Sequence, residues 1–429
     1  MPSTLQVGSG TKQRAHRPDF LLLLYAGLLM LLGLVIMYAI GPQIAQTSNS
    51  QVGEEAYSSS YYAIKQLINI AVASVAMGVM IFMPFKFLKK HAGAVLAAGL
   101  IISVVMFLLS LVHASSIVPC VNGACRWISL GPFGTFQPAE LLKFGVLVFF
   151  ARFLAVQIKA GKLNDWKESV TPLVIVALVV LFFVVVLQKD MGTGIALASI
   201  MVSMIFVAGI NWQVGWRLLV GALILFALLV VAAPHRMERM ATFFRGDVSS
   251  QSANSLDEDY QSRHAKIAIG TGGLTGVGIG NSVAASGYLP EAINDSLFAI
   301  LGETFGFVGL VALIALLSTL LLRILRIVDH STDAWMKLIA AGIFGWLFAH
   351  TALNIASMIG IAPLTGITLP LLSFGGTSML FIAAALGLLF QVSRYTSHDR
   401  QNVKEVTDEN TSRRRRVRWS RDTGYRRAQ

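Results

Sequence analysis

The sequence is short of charge. Asp, Glu, Lys and Arg make up 13% of its 429 residues, while 55% are apolar. That balance excludes a soluble two-domain protein, whose surface needs far more charge. Cysteine is nearly absent: the two present, Cys120 and Cys125 in PCVNGAC, show no spacing with histidine that would build a transition-metal cage. They read equally as a disulfide across an Asn-Gly turn in an oxidising compartment or as two free thiols, and neither implies catalysis. A dinucleotide loop is excluded too. The run GTGGLTGVGIG (270–280) lacks the G-x-G-x-x-G spacing, and no strand precedes it. Close helix packing or a re-entrant turn accounts for it, with freed backbone N–H groups able to face an anion. No internal repeat is visible.

What is abundant is long apolar runs near the ~20 residues a spanning helix needs. Ten spans can be drawn, at roughly 20–40, 62–84, 91–113, 138–156, 170–187, 192–209, 214–234, 297–322, 335–358 and 370–392. The expectation is an all-α polytopic membrane protein with a large outer loop between helices 7 and 8. The eighth span is overlong and has to tilt or project beyond the lipid. The first is too long for the core of a secretory signal and reads as a retained anchor. Both termini are assigned to the cytoplasm. The two tails and alternate loops, with the span ends beside them, hold 25 of the 34 basic residues, the opposite loops hold seven, and Lys65 and Lys143 lie within spans.

Three regions follow: a polar cytoplasmic tail 1–18, a membrane domain 19–394 with outer loops 114–137 and 235–294, and a basic cytoplasmic tail 395–429. The middle of the second outer loop, GDVSSQSANSLDEDYQSRH, reads as flexible. The net charge of +12 owes much to the last tail, TSRRRRVRW and RDTGYRR. Beside a final span such a tail suits topology retention and anionic lipid headgroups rather than nucleic acid.

The polar and charged residues that stand out as candidates for chemistry all lie at or near the outer face. Gln137 and Pro138 open the fourth span, and Glu140 and Lys143, three apart, share one helical face. Gln188-Lys189-Asp190 joins the fifth and sixth spans, and Arg126-Trp127 precedes the fourth. In GYLPEAINDSLFAILGETFG (287–306), Pro290-Glu291 is expected to start a helix, with Asp295 one turn on and Glu303 within the membrane. A buried acid needs a partner, and Lys143 is the natural cation for Glu303. A transporter would place such groups near the bilayer midplane. Acids and bases at one interface suit chemistry on a lipid-linked substrate whose head group lies outside.

Five blocks in order, NGACRWISLGPFGTFQPAELLKF, QKDMGTG, YQSRHAKIAIGTGGLTGVGIGNS, YLPEAINDSLFAILGETFGFVG and NIASMIGIAPLTGITLPLLSFGGTS, resemble the SEDS family of FtsW/RodA/SpoVE peptidoglycan glycosyltransferases over about residues 20–395. The resemblance implies a ten-span polymerase of lipid II in the bacterial plasma membrane. An acceptor hydroxyl attacks the donor's anomeric carbon with inversion, and undecaprenyl pyrophosphate leaves. The family motif L-P-E-A-x-x-D places the essential aspartate, the proposed general base, on Asp295. Arg126, Gln137, Glu140, Lys143, Asp190, Glu291 and Glu303 are carried over as binding or supporting residues, with Mg²⁺ or another divalent cation held mainly through the phosphates and no organic cofactor.

The run Asp295-Ser-Leu-Phe-Ala is most like division-type FtsW. This implies a septal role beside a class B penicillin-binding protein transpeptidase and other divisome proteins. The chain departs from the family at Lys189, where Q-P-D is usual, at Ile293-Asn294, where His-Thr is usual, at Glu303-Thr304-Phe305-Gly306 for E-E-L-G, and at Phe374 in S-Y-G-G. Two other functions fit an apolar bundle of this kind: a flippase of lipid-linked precursors and an inactive divisome scaffold.

Overall fold

The computed structural model describes residues 17–52, 57–121, 124–131, 134–231 and 253–396. Its helices are α1 Phe20–Val52, α2 Tyr61–Phe82, α3 Phe85–Leu111, α4 Pro138–Ala160, α5 Thr171–Leu181, α6 Met191–Ala208, α7 Trp212–Val231, α8 Ala253–Thr271, α9 Leu297–His330, α10 Ala334–Met358 and α11 Gly376–Ser393. Wider π-turns, Trp166–Val170 and Phe182–Leu187, flank α5 and complete its span. Nine helices among the described residues are long and apolar enough to cross a membrane. The remaining expected span, 214–234, overlaps α7, which is described as far as Val231. Most of both tails and the start of the second outer loop lie outside the described residues.

A bilayer offers no hydrogen bonds to the backbone, so apolar runs of this length fold as helices. Which of them sit centrally depends on their side chains. In α10, α11 and α4, 72%, 67% and 61% of the apolar window is buried in the protein, against 17% in α2. α4 packs on α3, α6 and α10, while α2 packs along α11. The inner helices therefore carry the polar side chains that lipid would not tolerate.

The two ends of the bundle are knitted separately. At one end Arg323 pairs with Asp19, whose backbone N–H donates to Ser393 Oγ, and Lys89 meets Asp333 at 3.8 Å. These are ends assigned to the cytoplasm by their basic residues. At the other end are two short hairpins. Cys120–Val121 (β1) pairs with Ala124–Cys125 (β2), and Ile128–Ser129 (β3) pairs with Thr135–Phe136 (β4). Cys120 and Cys125 form a disulfide across the first. Thr377 Oγ1 ties the second to α11 through the Thr135 carbonyl at 2.8 Å.

Three expectations change in the second outer loop. First, the described part of its polar, flexible-looking stretch, residues 253–264, is helical: α8 runs from Ala253 and docks on α9, with Ala265 and Ala268 buried. Second, Pro290-Glu291 does not start a helix. Residues 290–296 form turns, Glu291 has φ +52°, and Ser296 stands at the N-cap position of α9 without a side-chain capping bond. The Glu291 carbonyl accepts the N–H groups of Asn294 and Ser296, while Ser296 Oγ donates to the Pro290 carbonyl, so the segment curls on itself.

Third, the overlong α9 is interrupted at Gly306 (φ +66°, ψ −166°), and the glycine run repairs the break. The carbonyls of Glu303 and Thr304 accept from Val277 N–H (2.9 Å) and Gly278 N–H (3.1 Å). The N–H groups of Phe307 and Val308 donate to the Gly273 and Leu274 carbonyls at 2.8 and 3.2 Å. Such irregular backbone persists at membrane depth only when protein satisfies it. A Cβ at Gly276 would overlap the Thr304 carbonyl, and one at Gly306 would overlap the Gly276 nitrogen. This is the close approach the sequence suggested.

Candidate active site

The candidate site, at the end of the bundle that the sequence assigns to the outer face, is built from the starts of α4, α6 and α11, the 290–296 turn, α8 and the loop 359–375. Asp295 lies in the turn, 8% exposed. Its Oδ1 accepts from Gln261 Nε2 on α8 at 3.3 Å, and the same amide reaches Ser296 Oγ at 2.9 Å. Burial, reinforced by the nearby Glu291 carboxylate, pushes the Asp295 carboxyl up from 3.8 to about 7. Among the described residues Asp295 makes no ion pair. Because the Gln261 hydrogen bond favours the charged form, Gln261→Leu should move the carboxyl further up. Carbon-13 NMR titration of labelled aspartate would show it, and an unchanged or lower midpoint would remove Gln261 from this role.

Below the turn, α10 places Asn354 so that its Nδ2 donates at 2.7 Å to both the Asp295 and Ile367 carbonyls. One helical turn earlier, His350 Nδ1 sits 3.2 Å from the Thr368 carbonyl, and its Nε2 faces Lys143 Nζ at 3.0 Å. Lys143, fully buried, donates to Glu140 Oε1 at 2.8 Å. The spacing of three places the two on one helical face, and here they pair. Among the described residues Glu140 Oε2 is buried without a partner.

Glu303 is not paired with Lys143. Two turns into α9, its carboxylate accepts from Ser282 Oγ and from the N–H groups of Val283 (3.1 Å) and Ala284 (3.2 Å). It caps the short 3-10 helix Ala284–Ser286 and anchors the far end of the glycine loop. The chain between α8 and α9 folds back over Glu303 and supplies these donors, which the linear sequence does not reveal. Glu291 is exposed and holds Asn294 Nδ2 at 2.6 Å.

The remaining site residues lie at the starts of α4 and α6 and beside the hairpins. Asp190 caps α6, its Oδ1 accepting from Thr193 N–H at 3.0 Å and its Oδ2 from Thr193 Oγ1 at 2.9 Å. Gln137 Nε2 reaches the same Oδ2 at 3.1 Å and so joins the starts of α4 and α6. Arg126, just past the disulfide hairpin, donates to the carbonyls of Gln188 (3.3 Å) and Lys189 (2.7 Å).

A family profile described as "Cell cycle protein", that of FtsW, RodA and SpoVE, matches residues 19–398. The chain belongs to this family. A probable peptidoglycan glycosyltransferase FtsW of Nitrosomonas europaea is 32% identical over 395 residues, covering 91% of this chain and 96% of the relative. Stage V sporulation protein E of Bacillus subtilis is 30% identical over 383 residues, covering 89% and 98%. Among solved structures, rod shape determining protein RodA of Thermus thermophilus superposes with a TM-score of 0.62 at 24% identity, covering 89% of this chain and 98% of that one. A chain of a peptidoglycan synthase complex gives 0.66 at 23% identity, covering 89% and 99%. At these identities the structural likeness speaks for the fold.

Within the FtsW/RodA/SpoVE framework, the structure gives the departures a physical content. Lys189 has φ +54°, which a proline locked near −65° does not reach. The Q-K-D turn is thus a different backbone turn from Q-P-D. At the position of the usual His, Ile293 packs on the apolar core, and its carbonyl accepts Phe374 N–H at 2.9 Å.

His350, Asn354 and Gln261 carried no assigned role in the sequence. His350 and Asn354, four apart on an apolar helix, are the kind of intramembrane polar pair that signals a site. Gln261 gives no comparable signal, since only the docking of α8 brings it to Asp295.

Proposed function

We propose that this protein is a peptidoglycan glycosyltransferase that polymerises lipid II at the outer face of the bacterial plasma membrane. The observation that carries it is a titratable Asp295 set in an outer turn and linked through Asn354, the 367–368 backbone and His350 to the Lys143–Glu140 pair. The acceptor hydroxyl loses its proton to the Asp295 carboxylate as its oxygen bonds the donor's anomeric carbon. The bond from that carbon to the diphosphate oxygen breaks with inversion, and the electron pair leaves on undecaprenyl pyrophosphate.

A base whose carboxyl sits at about 7 is partly ionised at neutral pH and well matched to general-base work. Arg126 and Lys189 carry positive charge at the rim for the departing diphosphate, and Lys143 carries it inside the site. Lys143 is fully enclosed beside Glu140, so direct contact with a diphosphate needs the site to open.

A divalent cation, if it accompanies the diphosphate, would supply further charge neutralisation there. Among the described residues no three His, Cys, Asp or Glu side chains converge. Glu140 Oε2 is a buried acceptor still unpartnered, so the fit is to a cation held chiefly by phosphates. Kinship to FtsW-named relatives supports a septal role beside a class B penicillin-binding protein transpeptidase and other divisome proteins.

The test is to incubate purified protein with lipid II, with and without that partner, and to look for glycan chains. Polymer is the expected result. Movement of lipid II across vesicles without polymer would support a flippase instead, and neither outcome would leave a scaffold.

A further inference from the structure

His350, a link between Lys143 and the loop, is a buried, chemically capable group to which neither the sequence motifs nor the reaction itself assigns a step. It lies in the middle of α10, 3% exposed, with three polar neighbours. Its Nδ1 faces the Thr368 carbonyl at 3.2 Å, and a carbonyl only accepts, so Nδ1 carries the hydrogen. Its Nε2 faces two donors, the Trp346 indole N–H at 3.3 Å and Lys143 Nζ at 3.0 Å, so this nitrogen presents its lone pair. The hydrogen-bond pattern thus specifies the neutral ring with its hydrogen on Nδ1.

That arrangement holds Lys143 on several sides. Its ammonium donates to Glu140 Oε1 at 2.8 Å and to His350 Nε2, and lies 5.1 Å from the centre of the Trp346 ring. Trp346, His350 and Asn354 recur every four residues and so form one stripe along α10. Through that stripe the helix grips two adjacent carbonyls of the outer loop: Asn354 takes Ile367 and His350 takes Thr368. Asn354 also takes the carbonyl of Asp295. Lys143 and Asp295 come from different elements, α4 and the 290–296 turn. A single rigid helical turn fixes the position of one relative to the other.

We propose that His350 is a positioning residue that locks Lys143 to the loop 367–368, so that the cation and Asp295 keep one spacing. The proposal rests on the glycosyltransferase reading for its kinetic consequence but not for its geometry. A misplacement of about 1 Å far from the reacting atoms can cost around 10²-fold in rate. His350→Leu removes both the acceptor for Lys143 and the donor to Thr368. His350→Gln returns an acceptor oxygen at the same distance along the side chain.

The kinetic expectation is a kcat for lipid II polymerisation lowered about 10- to 100-fold in His350→Leu, with KM changed by less than about threefold. In His350→Gln, kcat should recover to within a few-fold of the parent. A purely structural role would instead lower the yield of folded protein in both variants and leave kcat per folded molecule unchanged. Equal kcat in parent and Leu variant, or equal loss in Leu and Gln, overturns the proposal.

The second arm needs no catalysis and no stable variant. In the parent protein labelled with nitrogen-15 histidine, the His350 ring should give the signature of a neutral imidazole with hydrogen on Nδ1. A ring with hydrogen on Nε2, or on both nitrogens, would mean that it does not accept from Lys143, and the proposal falls. If the parent makes no polymer, the glycosyltransferase reading fails while this arm still decides the placement of His350.

Discussion

Asp295→Asn is expected to lower glycan polymerisation by about 10²- to 10⁴-fold, the usual contribution of a positioned general base, while the protein remains folded. Asn keeps the shape and can still accept from Gln261, so the turn at 290–296 should survive. The stability of the variant should move in the opposite direction to its activity. The Asp295 carboxyl sits at about 7 in the folded protein against an ordinary 3.8, so the folded state holds a proton that the unfolded chain has already lost. Its contribution to stability is fully present below about pH 4 and is lost as pH rises through about 7. Above that, the buried carboxylate is a standing cost that the amide does not incur.

Thermal unfolding in detergent at pH 8 should therefore show the Asn variant at least as stable as the parent. Polymerisation by the parent should rise with pH through about 7 as the base ionises. Undiminished polymer from the variant would remove Asp295 from the base role. A parent rate that falls as pH rises through that range would mean that the protonated form is the working one.

The second large effect is at Lys143. It is fully enclosed and Glu140 is 3% exposed, so Lys143→Met leaves a carboxylate in the bundle without its cation. Breaking a buried pair from one side typically costs about 3–5 kcal/mol, whereas replacing both charges by uncharged groups of similar size is often close to neutral. Lys143→Met alone is thus expected to lose both stability and polymerisation. The double variant Glu140→Gln with Lys143→Met should regain the unfolding temperature but not the activity. That separation tests whether the ammonium serves the reaction as well as the fold. Recovery of polymerisation in the double variant would reduce the pair to a packing device.

How far the sequence reaches differs from residue to residue. The Glu140–Lys143 contact follows from a spacing of three on one helix, and the structure has it. Asp190 followed by Thr193 is the pattern of a helix cap, and Asp190 caps α6. Such local relations are written in the chain because the helix itself sets the geometry. The Glu303–Lys143 pairing failed because it depended on which chain segment comes back over α9. Ser282, Val283 and Ala284 arrive there after the glycine run folds back, and backbone N–H groups, present at every residue, leave no mark in composition. The helical start expected at Glu291 failed for a related reason. Propensity favours an acid in a first turn, but the Ser296 hydroxyl and the Phe374 N–H hold residues 290–296 in a tighter curl.

By itself, then, the sequence determined the solvent of this protein and the helices that fill it, and it gathered the candidate acids and bases at one end of the bundle. Each of these follows from hydrophobic length, helical period and the distribution of Lys and Arg, which need no knowledge of what packs on what. Only the tertiary structure decided how strongly the Asp295 carboxyl is pushed up and the company kept by Lys143. Burial and hydrogen-bond partners set both, and they are supplied by α8, α10 and the loop 359–375, which approach from distant parts of the chain.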